Sequence, residues 1–129
     1  MGEALVLGTK AGVDPEALIE ALLGGAARCW ALEARAPRVL ERDFSPGFRC
    51  RLHHKDLGIA LATGAELGVA LPITASVREF LGAMGSIGRG DYDHSGLVTL
   101  VEDMSDFRVG SEQSSESALA DSLEARDGL

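Results

Sequence analysis

The sequence predicts an all-α domain, a six- to seven-helix bundle, and three observations support this prediction. Hydrophobic residues make up 46% of the 129 residues, and they recur at helical spacing. Glycine and proline separate these stretches at points where helices normally begin or end. Strand features are weak, because clusters of β-branched residues are few and no apolar-polar alternation is sustained.

Three helices are predicted in the N-terminal third. The first spans about residues 3–11, and the second begins at Asp14 as N-cap with proline at the first helical position and ends at a glycine pair. The third spans about residues 27–34, with Trp30 as its large buried group. Pro37 is expected to break this helix, because proline lacks an amide donor, and a short helical turn follows it.

The central and C-terminal parts begin with an ordered loop over residues 43–47, predicted from its Ser-Pro-Gly content. The longest helix follows over residues 49–67. Its glycines and alanines favour close backbone approach, so we expect this helix to lie centrally. Further helices are predicted over residues 72–87 and 97–105. The first of these two has an apolar stripe of six residues: Ile73, Val77, Phe80, Leu81, Met84 and Ile87.

Composition restricts the function classes. The net charge of −8 disfavours nucleic-acid binding, and no apolar run is long enough to span a membrane. With no secretory signal, Cys29 and Cys50 are expected to be reduced core thiols of a cytoplasmic protein. Residues 1–109 form the predicted folded domain. Residues 110–129, rich in serine and acids, form a tail predicted to be disordered.

Phe48, Lys55 and Asp56 form the first candidate site. Residues seven and eight apart return to nearly one side of a helix, so all three can face one cleft. A lysine there offers a point charge and three donors to a phosphate, ribose or carboxylate. The simpler interpretation is that Lys55 and Asp56 are solvated surface charges.

A second candidate is a calcium loop over residues 91–102. Oxygen-bearing side chains and a glycine fall at the spacing of an EF-hand: Asp91, Asp93, Ser95, Gly96, Thr99 and Glu102. Glycines interrupt the entering helix and no second loop is present, so Asp93 or Ser95 as a helix N-cap remains the alternative. His53 and His54 point about 100° apart on a helix, and no metal site is predicted.

Several short segments stand in an order that resembles the C-terminal helical domain of β-hydroxyacid dehydrogenases. This family includes 3-hydroxyisobutyrate dehydrogenase and tartronate semialdehyde reductase, in the 6-phosphogluconate dehydrogenase superfamily. The matching segments are Glu3-Ala4-Leu5, Leu7-Gly8, Ala11-Gly12-Val13-Asp14-Pro15, Trp30, Pro37, Asp43-Phe44, Gly47-Phe48, Lys55-Asp56-Leu57, Ala65-Glu66-Leu67-Gly68, Leu71-Pro72 and Gly90-Asp91-Tyr92-Asp93.

The resemblance implies roles for the first candidate site. Lys55 is expected to contact a nicotinamide cofactor, NAD or NADP, while Phe48 and Asp56 line the substrate pocket. The implied reaction interconverts a small 3-hydroxy acid and its semialdehyde. A homo-oligomer, most simply a dimer, is the implied assembly.

The sequence also departs from the family pattern. No glycine-rich dinucleotide-binding turn follows a strand, so the Rossmann domain is expected to be a missing partner. The family's catalytic lysine lies upstream of the segment matching Glu3, and Lys10 does not replace it. We therefore expect no catalytic residue in this chain and no activity from it alone. The alternative functions are a small helical calcium-binding module, a structural dimerisation module, or the remnant of a truncated gene.

Overall fold

The fold is all-α, as predicted. The computed structural model describes residues 1–110, so the predicted disorder of the acidic tail lies almost wholly outside the described residues. In the described part of the chain, a 3-10 helix over His94–Leu97 accompanies six α-helices: α1 (Gly2–Lys10), α2 (Pro15–Leu23), α3 (Trp30–Leu40), α4 (Cys50–Leu67), α5 (Pro72–Ser86) and α6 (Val98–Ser105). Within residues 1–110, no strand is present beyond an isolated bridge between Arg49 and Asp93.

Local sequence explains most helix ends. The Asp14 carboxylate accepts a hydrogen bond of 2.9 Å from the Ala17 N–H and caps α2, with Pro15 at the first position. Gly68 ends α4 with φ of 69°, a left-handed conformation that glycine adopts without steric cost. The predicted bounds of α1, α2, α4, α5 and α6 hold to within one or two residues.

The prediction for α3 was wrong in two respects. The helix begins only at Trp30 and continues through Pro37 to Leu40, so the proline removes one hydrogen bond without ending the helix. Because Trp30 is the first residue of α3, its side chain lies at the helix end and is 61% exposed rather than buried. The Arg35 guanidinium lies over the indole, 4.9 Å from the ring centroid.

Contacts divide the described residues into two compact units, and the first comprises Met1–Asp43 with residues 101–110. Its buried apolar residues are Leu5, Val6, Ile19, Leu32, Ala36, Val39 and Val109. The Glu102 carboxylate is buried in this unit. It accepts hydrogen bonds from the Arg42 guanidinium at 2.6 and 3.0 Å and from the Val109 N–H at 2.9 Å. These bonds compensate the charge of the Glu102 carboxylate, because a buried charge without a partner would be strongly destabilising.

The second unit comprises Phe44–Leu100 and centres on α4 and α5. Cys50, Leu81 and Met84 form its buried core, and Leu57, Val77, Leu97 and Leu100 pack against them. The expectation that α4 lies centrally was wrong. Only Cys50 and Gly64 of that helix are buried, and its apolar residues Ile59 and Leu67 are exposed.

Two further expectations about burial were only half right. Leu81 and Met84 of the α5 stripe are buried, whereas Ile73, Phe80 and Ile87 are exposed. Both cysteines are free thiols, but Cys29 is exposed and only Cys50 lies in the core. Across residues 1–110, no helix is both long and apolar enough to cross a membrane.

Candidate functional site

The loop that leads into α4 is held in place by the buried carboxylate of Asp93. Its Oδ1 accepts hydrogen bonds of 3.0 Å from the backbone N–H groups of Gly47 and Phe48. Its Oδ2 accepts a bond of 3.1 Å from the Ser95 N–H and one of 2.6 Å from the Ser95 hydroxyl. One side chain therefore caps the 3-10 helix and fixes the residues just before α4.

Backbone hydrogen bonds join the same two segments. The Asp93 N–H donates to the Phe44 carbonyl at 2.9 Å, and the His94 N–H donates to the Phe48 carbonyl at 2.8 Å. The Phe44 and Tyr92 rings stack with centroids 5.7 Å apart. The position of Phe48 is thus set by contacts with residues more than forty positions away in the sequence.

The hydrogen bonds of Asp93 keep it ionised. Burial on its own raises the pKa of this carboxyl, but the Ser95 hydroxyl and three backbone N–H groups favour the charged form and lower the pKa to about 2. Nearby, burial followed by the charge of Asp93 raises the pKa of the Cys50 thiol to about 11. Cys50 is accordingly a protonated core residue, and it donates to the Asp93 carbonyl at 3.4 Å.

Phe48 lies in a cluster of three rings. Its centroid is 5.6 Å from that of His53 and 6.0 Å from that of His94, and the two imidazoles are 5.6 Å apart. His53 Nδ1 is buried and has no hydrogen-bond partner among residues 1–110. Sequence reasoning did not bring His94 to Phe48, because that contact depends on how the 3-10 helix packs beside α4.

Lys55 and Asp56 follow one turn further along α4. Lys55 Nζ lies 2.8 Å from Asp56 Oδ1, and the two side chains are 62% and 47% exposed. The structure thus pairs these two predicted site residues with each other, while the ring of Phe48 contacts His53 and His94. Both charges are open to solvent and accessible to a ligand, which is also true of ordinary surface charges.

In the structure, the side chains of the predicted calcium loop contact other groups of the protein. Asp91 Oδ1 accepts from Arg51 Nε at 2.6 Å, and Thr99 Oγ1 accepts from Arg89 at 3.0 Å. Asp93 caps the 3-10 helix, as the alternative interpretation predicted. Glu102 is bound to Arg42 in the first unit. Over the described part of the chain, no group of three or more His, Cys, Asp or Glu side chains is arranged to hold a metal ion.

Comparison with known proteins decides the family. Residues 1–101 match the family model described as the NAD-binding domain of NADP-dependent 3-hydroxyisobutyrate dehydrogenase. The chain belongs to this family. The resemblance inferred from the ordered segments is therefore confirmed, and the family description agrees with the expected cofactor, NAD or NADP.

Individual relatives of the family give the same result. The 2-hydroxy-3-oxopropionate reductase of Escherichia coli K12 is 38% identical over 109 residues, which cover 84% of this chain and 37% of that protein. The 2-(hydroxymethyl)glutarate dehydrogenase of Eubacterium barkeri is 37% identical, and the alignment covers 88% of this chain and 38% of that protein. The chain therefore spans little more than a third of the length of these relatives.

Solved structures share the fold. A 3-hydroxyisobutyrate dehydrogenase from Salmonella typhimurium superposes with a TM-score of 0.72 at 24% identity, over 77% of this chain and 35% of that one. The Mycobacterium tuberculosis 3-hydroxyisobutyrate dehydrogenase, solved with L-serine, gives a TM-score of 0.70 at 28% identity, over 78% of this chain and 36% of that one.

Proposed function

We propose that this chain is the C-terminal, NAD(P)-contacting domain of an oxidoreductase that interconverts a 3-hydroxy acid and its semialdehyde. The observation that carries the proposal is the family match over residues 1–101, which includes the whole loop and helix segment bearing the candidate site. The sequence relatives named above are a reductase and a dehydrogenase, which fits this reaction class.

Within this proposal, Lys55 contacts the cofactor. Its ammonium group is largely exposed at the second turn of α4 and lies 2.8 Å from the adjacent carboxylate of Asp56. Such an ammonium donates to a phosphate or ribose oxygen at little desolvation cost. A charge-assisted contact of this kind contributes about 1.5–3 kcal/mol.

Phe48 and Asp56 serve the substrate side in this proposal. Phe48 presents an aromatic wall that Asp93 and the backbone of His94 hold in one position. Asp56 provides an acceptor for a substrate hydroxyl and orients the Lys55 ammonium. His53 and His94 complete the ring cluster behind Phe48.

The reaction needs groups that this chain is not proposed to supply. When bound, NAD(P)H would supply a hydride to the aldehyde carbon, and a general acid would supply the proton that the carbonyl oxygen needs. The resemblance places the proton-donating lysine upstream of the segment matching Glu3. Loss of a general acid typically lowers the rate 10²–10⁴-fold. We therefore expect residues 1–129 to be inactive by themselves and to act with a Rossmann domain.

The test is a fusion of residues 1–129 behind the N-terminal domain and interdomain helix of the Escherichia coli relative. The fusion is expected to oxidise NAD(P)H on addition of 2-hydroxy-3-oxopropionate or another small semialdehyde. Residues 1–129 alone, assayed at the same concentration, are the matched control. A folded fusion that neither binds NAD(P)H nor reduces any small semialdehyde would contradict the proposed function.

A second copy of this chain is the proposed partner. Leu7 of α1 is 74% exposed, while its neighbours Leu5 and Val6 are buried. Ile73 and Phe80 of α5, together with Ile87 at its C-cap, recur every seven residues and are all exposed. Apolar stripes of this kind favour burial against another protein surface.

A further inference from the structure

The interface between α4 and α5 in the second unit has a polar flank as well as an apolar one. On the apolar flank, Cys50 packs with Leu81 and Met84. On the other flank, each helix places a glycine beneath a long polar side chain of the other helix. Arg78 lies over Gly58, and His54 lies over Gly82.

Gly58 provides the space that the Arg78 guanidinium occupies. A Cβ atom built on Gly58 would lie 3.2 Å from Arg78 Nε and 3.8 Å from its Nη2. Glycine is unfavourable inside a helix relative to alanine, so a glycine here is best explained by this close approach. The guanidinium therefore lies close to the backbone of α4.

Arg78 has unused hydrogen-bonding capacity. Its Nε is buried and has no hydrogen-bond partner among residues 1–110. Its Nη1 lies 3.3 Å from Oε1 of the adjacent Glu79, whose side chain is 80% exposed. That carboxylate is well solvated and neutralises little of the charge. The Arg78 side chain is itself 34% exposed, so its outer nitrogens are accessible to a ligand.

The position of Lys55 relative to Arg78 follows from helix geometry. Gly58 follows Lys55 by three residues, and residues three apart are neighbours on a helix surface. Because Arg78 lies over Gly58, we infer that its guanidinium is close to Lys55. The carboxylates paired with these two cations are the exposed side chains of Asp56 and Glu79.

The charge distribution makes this unit less repulsive to an anion than the rest of the chain. Residues 44–100 hold five Lys or Arg and five Asp or Glu, so this unit is neutral in a chain of net charge −8. One of the five acids, Asp93, is buried and bonded internally. The second unit is thus the part of the chain least repulsive to an anion.

We propose that Arg78 and Lys55 form a two-point binding site for an oxyanion, either a phosphate of the nicotinamide nucleotide or the carboxylate of the substrate. The proposal rests on the proposed function, because Lys55 is there the cofactor contact, and it adds a residue from the neighbouring helix. A guanidinium binds phosphate or carboxylate through a planar pair of donors, which a lysine lacks. Arg78 therefore orients the bound oxyanion, and Lys55 contributes positive charge.

The experiment is a titration of the 129-residue chain followed by NMR, with the backbone amides and the arginine Nε–H groups as probes. The ligands are nicotinamide mononucleotide, inorganic phosphate and D-glycerate. At least one is expected to shift the signals of Lys55, Gly58 and Arg78 Nε–H, with a millimolar dissociation constant that is typical of a few contacts. Binding of the two phosphates alone identifies the cofactor, and binding of glycerate alone identifies the substrate.

Three variants make the result specific. Arg78→Gln is expected to weaken binding about tenfold, the effect of one charge-assisted hydrogen bond. Arg78→Lys keeps the charge without the planar donors and is expected to lose part of the affinity. The same variant replaces Arg78→Gln as the test if the glutamine variant does not fold. Arg28→Gln is the matched control, because Arg28 is an exposed arginine of the first unit, paired with Glu33.

The outcomes separate this inference from the proposed function. Absence of shifts at Lys55, Gly58 and Arg78 with all three ligands overturns the two-point site, as does unchanged affinity in both folded Arg78 variants. If the fusion enzyme nevertheless reduces semialdehydes and depends on Lys55, the proposed function stands and only the role of Arg78 is lost. If the fusion is inactive but oxyanion binding depends on Arg78, the two-point site stands and the proposed function is lost.

Discussion

Asp93 shows how a single residue shapes the proposed pocket. Its two carboxylate oxygens accept four hydrogen bonds, two from the loop before α4 and two from Ser95. The sequence alone allowed two roles for it: calcium ligand or helix cap. The cap was foreseeable from Asp-x-Ser before a helix. The bonds to Gly47 and Phe48 were not, because they join segments far apart in the chain.

Asp93 is expected to make stability depend on acid pH. Its pKa falls from 3.8 to about 2 on folding, so its contribution is fully present above pH 4 and is lost as the pH falls from about 4 to about 2. At 1.36 kcal/mol per pH unit, this contribution is about 2 kcal/mol. Urea unfolding of wild type and Asp93→Asn at pH 6, 4 and 2 measures it.

The variant provides the internal comparison. Asp93→Asn is expected to cost about 1.5–3 kcal/mol at pH 6, because the amide nitrogen cannot accept from Ser95, and to lose less stability than wild type between pH 4 and pH 2. Asp56→Asn, at an exposed carboxylate, is the control and should change stability little. Equal acid sensitivity of wild type and Asp93→Asn would show that Asp93 is not held ionised by the fold.

At the scale of helices, glycine has two different roles in this fold. Gly64 lies in α4 where the chain returns towards α5, and a Cβ there would come within 2.7 Å of Leu71 Cδ1 and 3.1 Å of the Val69 carbonyl oxygen. Gly85 lies near the end of α5, and a Cβ there would meet no atom within 4 Å. The first glycine is required by close packing, whereas the second is not.

Alanine substitution is expected to have opposite effects at the two positions. Gly64→Ala should lower the free energy of unfolding by about 1–3 kcal/mol, because overpacking outweighs the better helix propensity of alanine. Gly85→Ala should raise it by about 0.5–1 kcal/mol, since only propensity changes. Chemical denaturation of both variants tests this, and stabilisation by Gly64→Ala would show that α4 and the following turn are not packed closely.

The bounds of the helices were largely predictable from the sequence, whereas the burial of their side chains was not. Asp14, Pro15, Gly68 and Pro72 act within a few residues of their own positions, so their effects can be deduced from the sequence. Burial depends on which elements pack together, and this is why the predicted buried position of Trp30 and the central position of α4 were wrong. The ring cluster of Phe48, His53 and His94 was unpredictable for the same reason.

At the scale of the whole molecule, the exposed apolar residues of α1 and α5 bear on assembly. We expect the chain to form a homodimer or a higher oligomer, because Leu7, Ile73 and Phe80 gain apolar burial only against another surface. Sedimentation analysis at tens of micromolar, a range that detects weak association, is the measurement. Phe80→Glu is expected to shift the equilibrium towards monomer, and a clean wild-type monomer would contradict the expectation.

The central claim is that α4 presents Lys55 to the cofactor and Asp56 to the substrate, and steady-state kinetics of the fusion enzyme test it most directly. Lys55→Ala is expected to raise the KM for NAD(P)H or lower kcat by about ten- to a hundred-fold, the range of one charge-assisted contact. Asp56→Ala is expected to raise the KM for the semialdehyde. Lys10→Ala, at a lysine outside the candidate site, is the control. Full activity in both Lys55→Ala and Asp56→Ala would contradict the claim and leave these two residues as surface charges.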